Sequence, residues 1–545
     1  DQNHYQQVFA DLKKFHLGGI IFSKGTTEEQ ARLTNLYQSE SKVPLLIAMD
    51  AEWGMAMRLR DAKPFPYQMT LGAIQNDSLL YQMGYSMANR QRRLGVHLNF
   101  APTVDINTNP KNPVIGLRSL GSDPQLVTQK AGMLLRGMQD GGLMTSIKHF
   151  PGHGDTSTDS HHTLPVVSHS LDRLNKVELY PFHKLIDEGV FSVMVGHLEV
   201  PALEEVKGRP SSLSPSIVSD LLKKKLGFTG LIVTDALNMK GVSDYSGNQS
   251  ASLGSFLAGA DLLLIPDDLP VAFADIRQAV RSGIISEERL SYSVKKILSA
   301  KYEAKLHKSN TVNTASLKND MESSDFVALR HQLAEASMTV IRNEVNMIPI
   351  QNIENSQIAY VSIGEDTGET FFERLKHYTS VDQQKLSDIL STKNEYSHVI
   401  VGHHQPDHSP FITHKLSSDV IAKLDLLCQR FNVILVSFAN PNSISKLPID
   451  KCKSVVLGYQ NSPIFQSKAA QLVFGGLGAN GKLPVAVGTY PQGSGIDILP
   501  IGRLSYGHPK QVGMDDEVLK TVDTMATQAI SDTITPGMQI VIAKS

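Results

Sequence analysis

Residues 231–266 read LIVTDALNMKGVSDYSGNQSASLGSFLAGADLLLIP. Two short apolar runs, LIVTD and DLLLIP, bracket a spacer of helix length. Their apolar residues are consecutive rather than alternating, as suits a parallel strand covered by helices on both faces. Outward from this unit the same alternation recurs at 18–22, 44–50, 97–106, 143–150 and 192–200, so that with 231–237 and 262–266 there are seven strand candidates. Helical patterns such as 123–137 and 286–301 fill the intervals. The natural closure of such a series is an α/β fold of the (β/α)8, TIM-like barrel type over residues 1–305, with the first strand missing or displaced near the start.

After the barrel comes a polar stretch, HKSNTVNTASLKND, and 306–337 is expected to be a linker. Apolar runs at 338–342, 358–364, 398–403, 433–439 and 454–460 then predict a smaller α/β layered sandwich over 338–505. Residues 506–545 open a new pattern, a helix at 515–529 followed by TPGMQIVIAKS as turn and strand, and are expected to begin a further, truncated module.

At 545 residues the chain exceeds what one hydrophobic core serves. Its 52 Lys+Arg against 54 Asp+Glu leave no electrostatic footprint for nucleic acid or an anionic membrane. No apolar stretch approaches the roughly 18 residues that span a bilayer. The expected partner is a neutral or weakly charged small molecule. Cys428 and Cys452 either pair or stay free, and neither stands in a Cys-x-x-Cys spacing. The first 22 residues read as a helix entering a strand rather than as a signal peptide, with the native start expected upstream.

In an α/β barrel the reacting groups gather at the C-terminal strand ends and the loops beyond them. Asp50 ends LLIAMD, Lys148 and His149 lie in KHFPGHGD, His197 and Glu199 end SVMVGHLE, and Asp235 ends LIVTD. Cleavage at a glycosidic carbon needs a carboxylate to attack or stabilise that carbon and an acid to protonate the departing oxygen. Asp235 suits the first role. For the second, the spacing Asp159-x-His161 lets a carboxylate hold an imidazole tautomer and raise its basicity. An imidazole of ordinary pKa near 6.5 gives and retakes a proton with little tuning.

The ordered set DAEWGMAMR, LNFAPTVDI, IGLRSLGSDP, KHFPGHGDTSTDSHHTLP, VMVGHLEVPALE and GFTGLIVTDALNM resembles glycoside hydrolase family 3, in its β-N-acetylglucosaminidase branch. The resemblance spans nearly the whole first domain, and KHFPGHG followed after four residues by DSH is its most specific element. It implies a retaining glycosidase without cofactor or metal, with Asp235 as nucleophile, His161 as acid/base and Asp159 orienting His161. It also implies sugar-hydroxyl contacts from Asp50, Arg58, Arg118, Lys148 and His149, and a glycan or muropeptide as substrate. Trp53-Gly54-Met55 departs from the branch's usual Gly-Gly-Arg, on the leaving-group side. VIRNEVNMIPI and FGGLGANGKLPVAV are similar to the family's second domain, and the last 35 or so residues resemble the opening of a serine β-lactamase or penicillin-binding module. Such a module would favour the bacterial envelope over the cytoplasm.

Plainer readings stand beside these. Asp235 could cap a helix, and Asp159 with His161 could form a solvated loop. His149, His153, Asp155, Asp159, His161 and His162 together permit a metal site, although the Pro-Gly punctuation lacks regular ligand spacing. Lys148 and His149 could serve buried backbone groups, and Asp50 with Arg118 could be an ion pair. Trp53 is either a sugar platform or core. His197 and Glu199 shape the pocket, and His403 and His404 could reach the barrel mouth from the second domain. Rival functions are a phosphorylase with the same site, a β-glucosidase or xylosidase, and a silent sugar-binding part of a cell-wall protein.

Overall fold

The computed structural model describes every residue except 1, 159–162, 246–249, 309–310, 367, 412–414 and 545. In the first domain, strands β1 (Gly19–Ile21), β2 (Leu46–Met49), β3 (Leu98–Asn99), β4 (Met144–Phe150), β5 (Ser192–Val195) and β6 (Leu231–Thr234) form one parallel sheet in sequential order. This is the open wall of a TIM-like barrel. Every residue of β2, β4, β5 and β6 is buried, which accounts for their unbroken apolar runs.

The covering helices follow local rules. Helix Pro124–Asp140 starts where Asp123 accepts a hydrogen bond from the Leu126 N–H and proline takes the first turn. It lies tight against helix Ser78–Arg93, because a Cβ on Gly137 would stand 2.1 Å from the Tyr81 carbonyl oxygen. Only glycine permits that approach.

Two expected strands are shorter than their patterns. The run 97–106 forms a strand only at Leu98–Asn99, with one further isolated bridge from Thr103 to Lys148, since Pro102 between them has no N–H to give the ladder. The run 262–266 keeps the seventh position but makes a single bridge, Leu262 to Val233, because Ile265 adopts φ +45 and breaks the extended course.

The second domain is a six-stranded sheet. Its strands β7 (Thr339–Asn343), β8 (Ile358–Gly364), β9 (Asp382–Gln384), β10 (His398–His404), β11 (Val433–Phe438) and β12 (Ser454–Leu457) run in the order β7-β12-β11-β10-β8-β9. Only β7 is antiparallel to its neighbour. The edge strand β9 has no counterpart among the apolar runs, because its residues, DQQ, carry no apolar signal.

The stretch expected as linker holds helices Leu317–Met321 and Ser324–Ser337. The second buries Phe326, Leu329 and Leu333 in the barrel's core while Ala334 joins the core of the sandwich, so this segment is shared structure rather than a free tether. Helix Asp516–Ser531 forms as expected. The strand expected after it does not: residues 536–544 find no ladder partner among the described residues, and an unpaired extended segment is not a strand.

The two domains meet beside the barrel mouth. The Lys482 N–H donates to the Ala73 carbonyl at 3.0 Å, Ser122 N–H to the Pro484 carbonyl at 3.0 Å, and Tyr67 N–H to Gln460 Oε1 at 2.9 Å. The Tyr67 hydroxyl donates to the Asp407 carbonyl at 2.5 Å. Thus the loop after β10 is tied to the barrel next to the ends of its strands.

Candidate active site

Five strands deliver charged or ionisable groups to the same end of the barrel. β2 is followed by Asp50 and Glu52, β3 by Asp105, β4 carries Lys148 and His149, β5 is followed by His197, and β6 by Asp235. The parallel arrangement makes this unavoidable, since every carboxyl end points the same way.

At the base lies a fully paired charge cluster. Lys148 Nζ donates to Asp50 Oδ1 and lies against Glu52 Oε1, both at 2.8 Å. Arg118 grips Glu52 with two donors, Nη2 to Oε1 at 2.7 Å and Nε to Oε2 at 2.9 Å. Arg58 Nη2 donates to Asp50 Oδ2 at 2.9 Å and its Nε to the Asp50 carbonyl at 3.1 Å. Exposure grades outward: the Glu52 side chain is at 0%, Lys148 2%, Arg118 8%, Asp50 20% and Arg58 27%. Asp50 and Arg58 therefore face the opening, while Glu52 anchors the cluster from beneath.

Burial pushes the Glu52 carboxyl up, but Arg118 and Lys148 outweigh it and hold the group well below the usual carboxylate range. Burial likewise pulls the Lys148 ammonium down, yet Asp50 and Glu52 raise it above its ordinary value. Each charge is thus kept by its partners.

A second carboxylate orients His149. Its Nδ1 donates to Asp105 Oδ2 at 2.7 Å, leaving Nε2 as acceptor toward Arg118 Nη2 at 3.3 Å. Asp105 Oδ1 also accepts the His153 N–H at 2.6 Å, so one side chain fixes the end of β4 and the Gly-rich loop that follows it. Asp105 is held below its ordinary range, burial notwithstanding, by His149 and His153.

Asp235 stands one residue beyond β6, partly exposed, its own N–H donating to the Val195 carbonyl at 2.8 Å. Its Oδ1 accepts the Ala236 N–H at 2.8 Å. Burial raises this carboxyl, but the imidazoles of His149 and His197, the Ala236 N–H and the Lys148 ammonium prevail, and it is held below its ordinary value. His197 steadies this corner: Nε2 donates to the Ala236 carbonyl at 3.0 Å, and Nδ1 meets the Ser212 hydroxyl at 2.7 Å. An ionised carboxylate at the mouth, in reach of a field set by a lysine and two histidines, can act as a nucleophile.

Asp159 and His161 lie outside the described residues, as does His162. The two ends of their loop are described. Asn112 Nδ2 donates to the His153 carbonyl at 2.9 Å, Asn109 Nδ2 donates to the Thr156 carbonyl at 3.1 Å, and His169 Nε2 meets Asp155 Oδ2 at 2.5 Å. Beyond the loop, Val167 N–H donates to the Glu199 carbonyl at 2.9 Å, which returns the chain to the barrel.

The structure brings together Asp50, Arg58, Arg118, Lys148 and His149, and rearranges their pairing. Arg118 is bidentate to Glu52, not paired with Asp50, whose partners are Lys148 and Arg58. Glu52 and Asp105 were not singled out from sequence. The signals were present: Glu52 stands two residues after Asp50, and Asp105 is the one charged residue in the quoted run LNFAPTVDI.

Trp53 is buried, edge-on to Tyr67 at a ring separation of 5.0 Å. It lines a cavity of about 250 Å³ between the domains, with Arg330, Asp407 and Gln460. His403 and His404 do not reach the mouth. Both are fully buried, His403 Nδ1 against the Ser437 hydroxyl at 3.0 Å and His404 Nδ1 against Asn461 Oδ1 at 2.7 Å. The loop beyond them makes the approach instead: the half-exposed ring of Phe411 sits 5.7 Å from the Arg118 guanidinium.

The members of the metal-permitting set that are described have other partners, His149 on Asp105, His153 Nδ1 on the Thr156 hydroxyl and Asp155 on His169. No group of three His, Cys, Asp or Glu able to hold a metal occurs among the described residues. Nor, among them, is any helix long and apolar enough to cross a membrane.

Residues 2–300 match the glycosyl hydrolase family 3 N terminal domain. The chain is 31% identical over 382 residues to β-hexosaminidase A of Pseudoalteromonas piscicida, covering 64% of this chain and 63% of that protein. It is 29% identical over 343 residues to a β-N-acetylglucosaminidase/β-glucosidase of Cellulomonas fimi, covering 62% and 61% respectively. The chain therefore spans a little over three fifths of the length of these two curated relatives. Among solved structures, a glycoside hydrolase family 3 β-N-acetylglucosaminidase from Paenibacillus sp. str. FPU-7 superposes with a TM-score of 0.70 at 31% identity, over 87% of this chain and 94% of that one.

Proposed function

The chain belongs to glycosyl hydrolase family 3, and from that membership we propose that it hydrolyses terminal β-linked N-acetylglucosamine with retention of configuration. Asp235 is the nucleophile in this reading, His161 the acid/base and Asp159 the group that orients His161. The observation that carries it is the setting of Asp235: a partly exposed carboxylate at the end of β6, held below its ordinary value by the imidazoles of His149 and His197, the Ala236 N–H and Lys148.

In the first step Asp235 attacks the anomeric carbon while protonated His161 gives its proton to the departing oxygen. In the second, His161 removes a proton from water, which displaces Asp235 and releases the β-sugar. Asp50 and Arg58, the more exposed members of the charge cluster, take the sugar hydroxyls directly, with Lys148, Arg118 and His149 beneath. Phe411, over Arg118, supplies an aromatic face toward the leaving group, where the apolar side of a sugar ring can lie.

Support for N-acetylglucosamine comes from the names of the relatives and of the Paenibacillus neighbour. Muropeptides are the proposed natural source, and the reading of 506–545 as the start of a serine β-lactamase-like module, with a place in the bacterial envelope, is proposed alongside.

The test is product analysis. Purified protein incubated with chitobiose, with muropeptides and with a panel of chromogenic β-glycosides should release N-acetylglucosamine, first as the β anomer, at a rate indifferent to phosphate. Sugar-1-phosphate formed only in phosphate buffer would replace hydrolysis by phosphorolysis, and turnover of glucosides or xylosides alone would replace the sugar.

A further inference from the structure

We propose that Cys428 and Cys452 are a pre-aligned dithiol pair that closes to an intramolecular disulfide when the protein meets a disulfide oxidant. Cys428 lies in the last turn of helix Ser418–Arg430, and Cys452 lies just ahead of β12. Their sulfurs are 3.2 Å apart. The Cys452 thiol points to the Pro448 carbonyl at 3.6 Å, which turns its sulfur toward the Cys428 S–H as acceptor. A disulfide has its sulfurs about 2.05 Å apart, so bonding requires an approach of only about 1.2 Å.

Both residues belong to one packed cluster with Leu424, Leu427, Val433 and Ile449, which holds the two segments side by side. Access differs between them. Cys428 keeps 8% exposure and Cys452 none. The outer side of the same two segments forms a groove lined by Ile421, Ala422, Asp425, Pro448 and Lys451, spanned by the Lys451–Asp425 ion pair at 2.6 Å. Cys428, the less buried of the two, is the sulfur that an oxidant entering from this side meets first.

The steps balance with such an oxidant. The Cys428 thiolate attacks one sulfur of the oxidant, whose S–S bond breaks and releases one thiolate, leaving a mixed disulfide. The Cys452 thiolate then attacks Cys428 Sγ, forming the internal bond and expelling the second thiol. The pair gives up two electrons to the oxidant and two protons to solvent or to the departing thiolates. The cross-link closes a loop that contains β11, and so constrains the unfolded chain and stabilises the sandwich.

The test uses the full chain, reduced and then exposed while folded to oxidised glutathione. Thiols are titrated after denaturation, linked peptides mapped without reductant, and thermal midpoints compared. The expected result is loss of both thiols, one peptide pair joining 428 to 452, a monomer on a non-reducing gel, and a midpoint raised by several degrees and returned by dithiothreitol. Cys428→Ala and Cys452→Ala should each abolish that rise. Full titration of both thiols after oxidation, or cross-links only between chains, overturns the proposal.

Discussion

Arg118 and Glu52 form a bidentate pair beneath the barrel mouth, Nη2 to Oε1 at 2.7 Å and Nε to Oε2 at 2.9 Å, with the carboxylate entirely out of solvent. Such a pair contributes little net stability but is costly to break from one side, because the surviving charge stays buried. Here two cations, Arg118 and Lys148, depend on Glu52. Glu52→Ala should therefore lower stability by about 3–5 kcal/mol, against less than about 1 kcal/mol for the more exposed Arg58→Ala. Thermal denaturation of the two variants checks the order; equal midpoints would count against the role given to Glu52.

Removing the nucleophile should separate chemistry from folding. Asp235→Asn keeps the side-chain oxygen that accepts the Ala236 N–H but cannot form the glycosyl ester. The expected outcome is a wild-type thermal midpoint with turnover reduced about 10³-fold or more. Steady-state rates on a chromogenic N-acetylglucosaminide measure it.

Phe411 is predicted to act in binding more than in chemistry. Phe411→Ala should raise KM for a disaccharide roughly 5- to 30-fold with a much smaller change in kcat, in keeping with an aromatic contact of about 1–2 kcal/mol. An effect confined to kcat would remove Phe411 from the leaving-group side.

Acid should weaken the fold through histidines that burial keeps neutral. Burial is the main reason that His153 and His403 are each held at about 4, against about 6.5 when unfolded. Between those values the unfolded chain binds protons that the folded chain refuses, so stability rises with pH across the window and falls as pH drops from about 6.5 toward 4. Each should cost on the order of 1 kcal/mol between pH 7 and pH 5. The thermal midpoint should fall over that range, and His403→Gln should shrink the fall.

Much of this was legible in the sequence because apolar runs such as LIVTD and LLIAM report burial on both faces, and the residue after each run marks a strand's carboxyl end. Asp50 and Asp235 read as strand-end groups in this way, and Lys148 and His149 as the last part of such a run. Pairing was not legible, because it depends on how side chains from different strands meet. Asp50 and Arg118 were expected as possible partners, yet Glu52 stands between them and takes Arg118. Asp105 served His149 across 44 residues of sequence, a separation no local pattern encodes. The helix Ser324–Ser337 was hidden for another reason: its apolar residues divide between two cores, so its surroundings, not its periodicity, define it.

The most direct measurement is covalent trapping. A fluorinated N-acetylglucosaminide with a good leaving group forms the glycosyl-enzyme quickly and releases it slowly, so intact mass and peptide mapping of the inactivated protein reveal the attacked residue. A single sugar ester on Asp235, absent from Asp235→Asn, is the expected result. An adduct on any other side chain, or full turnover with no adduct at all, would contradict the assignment of Asp235 as nucleophile.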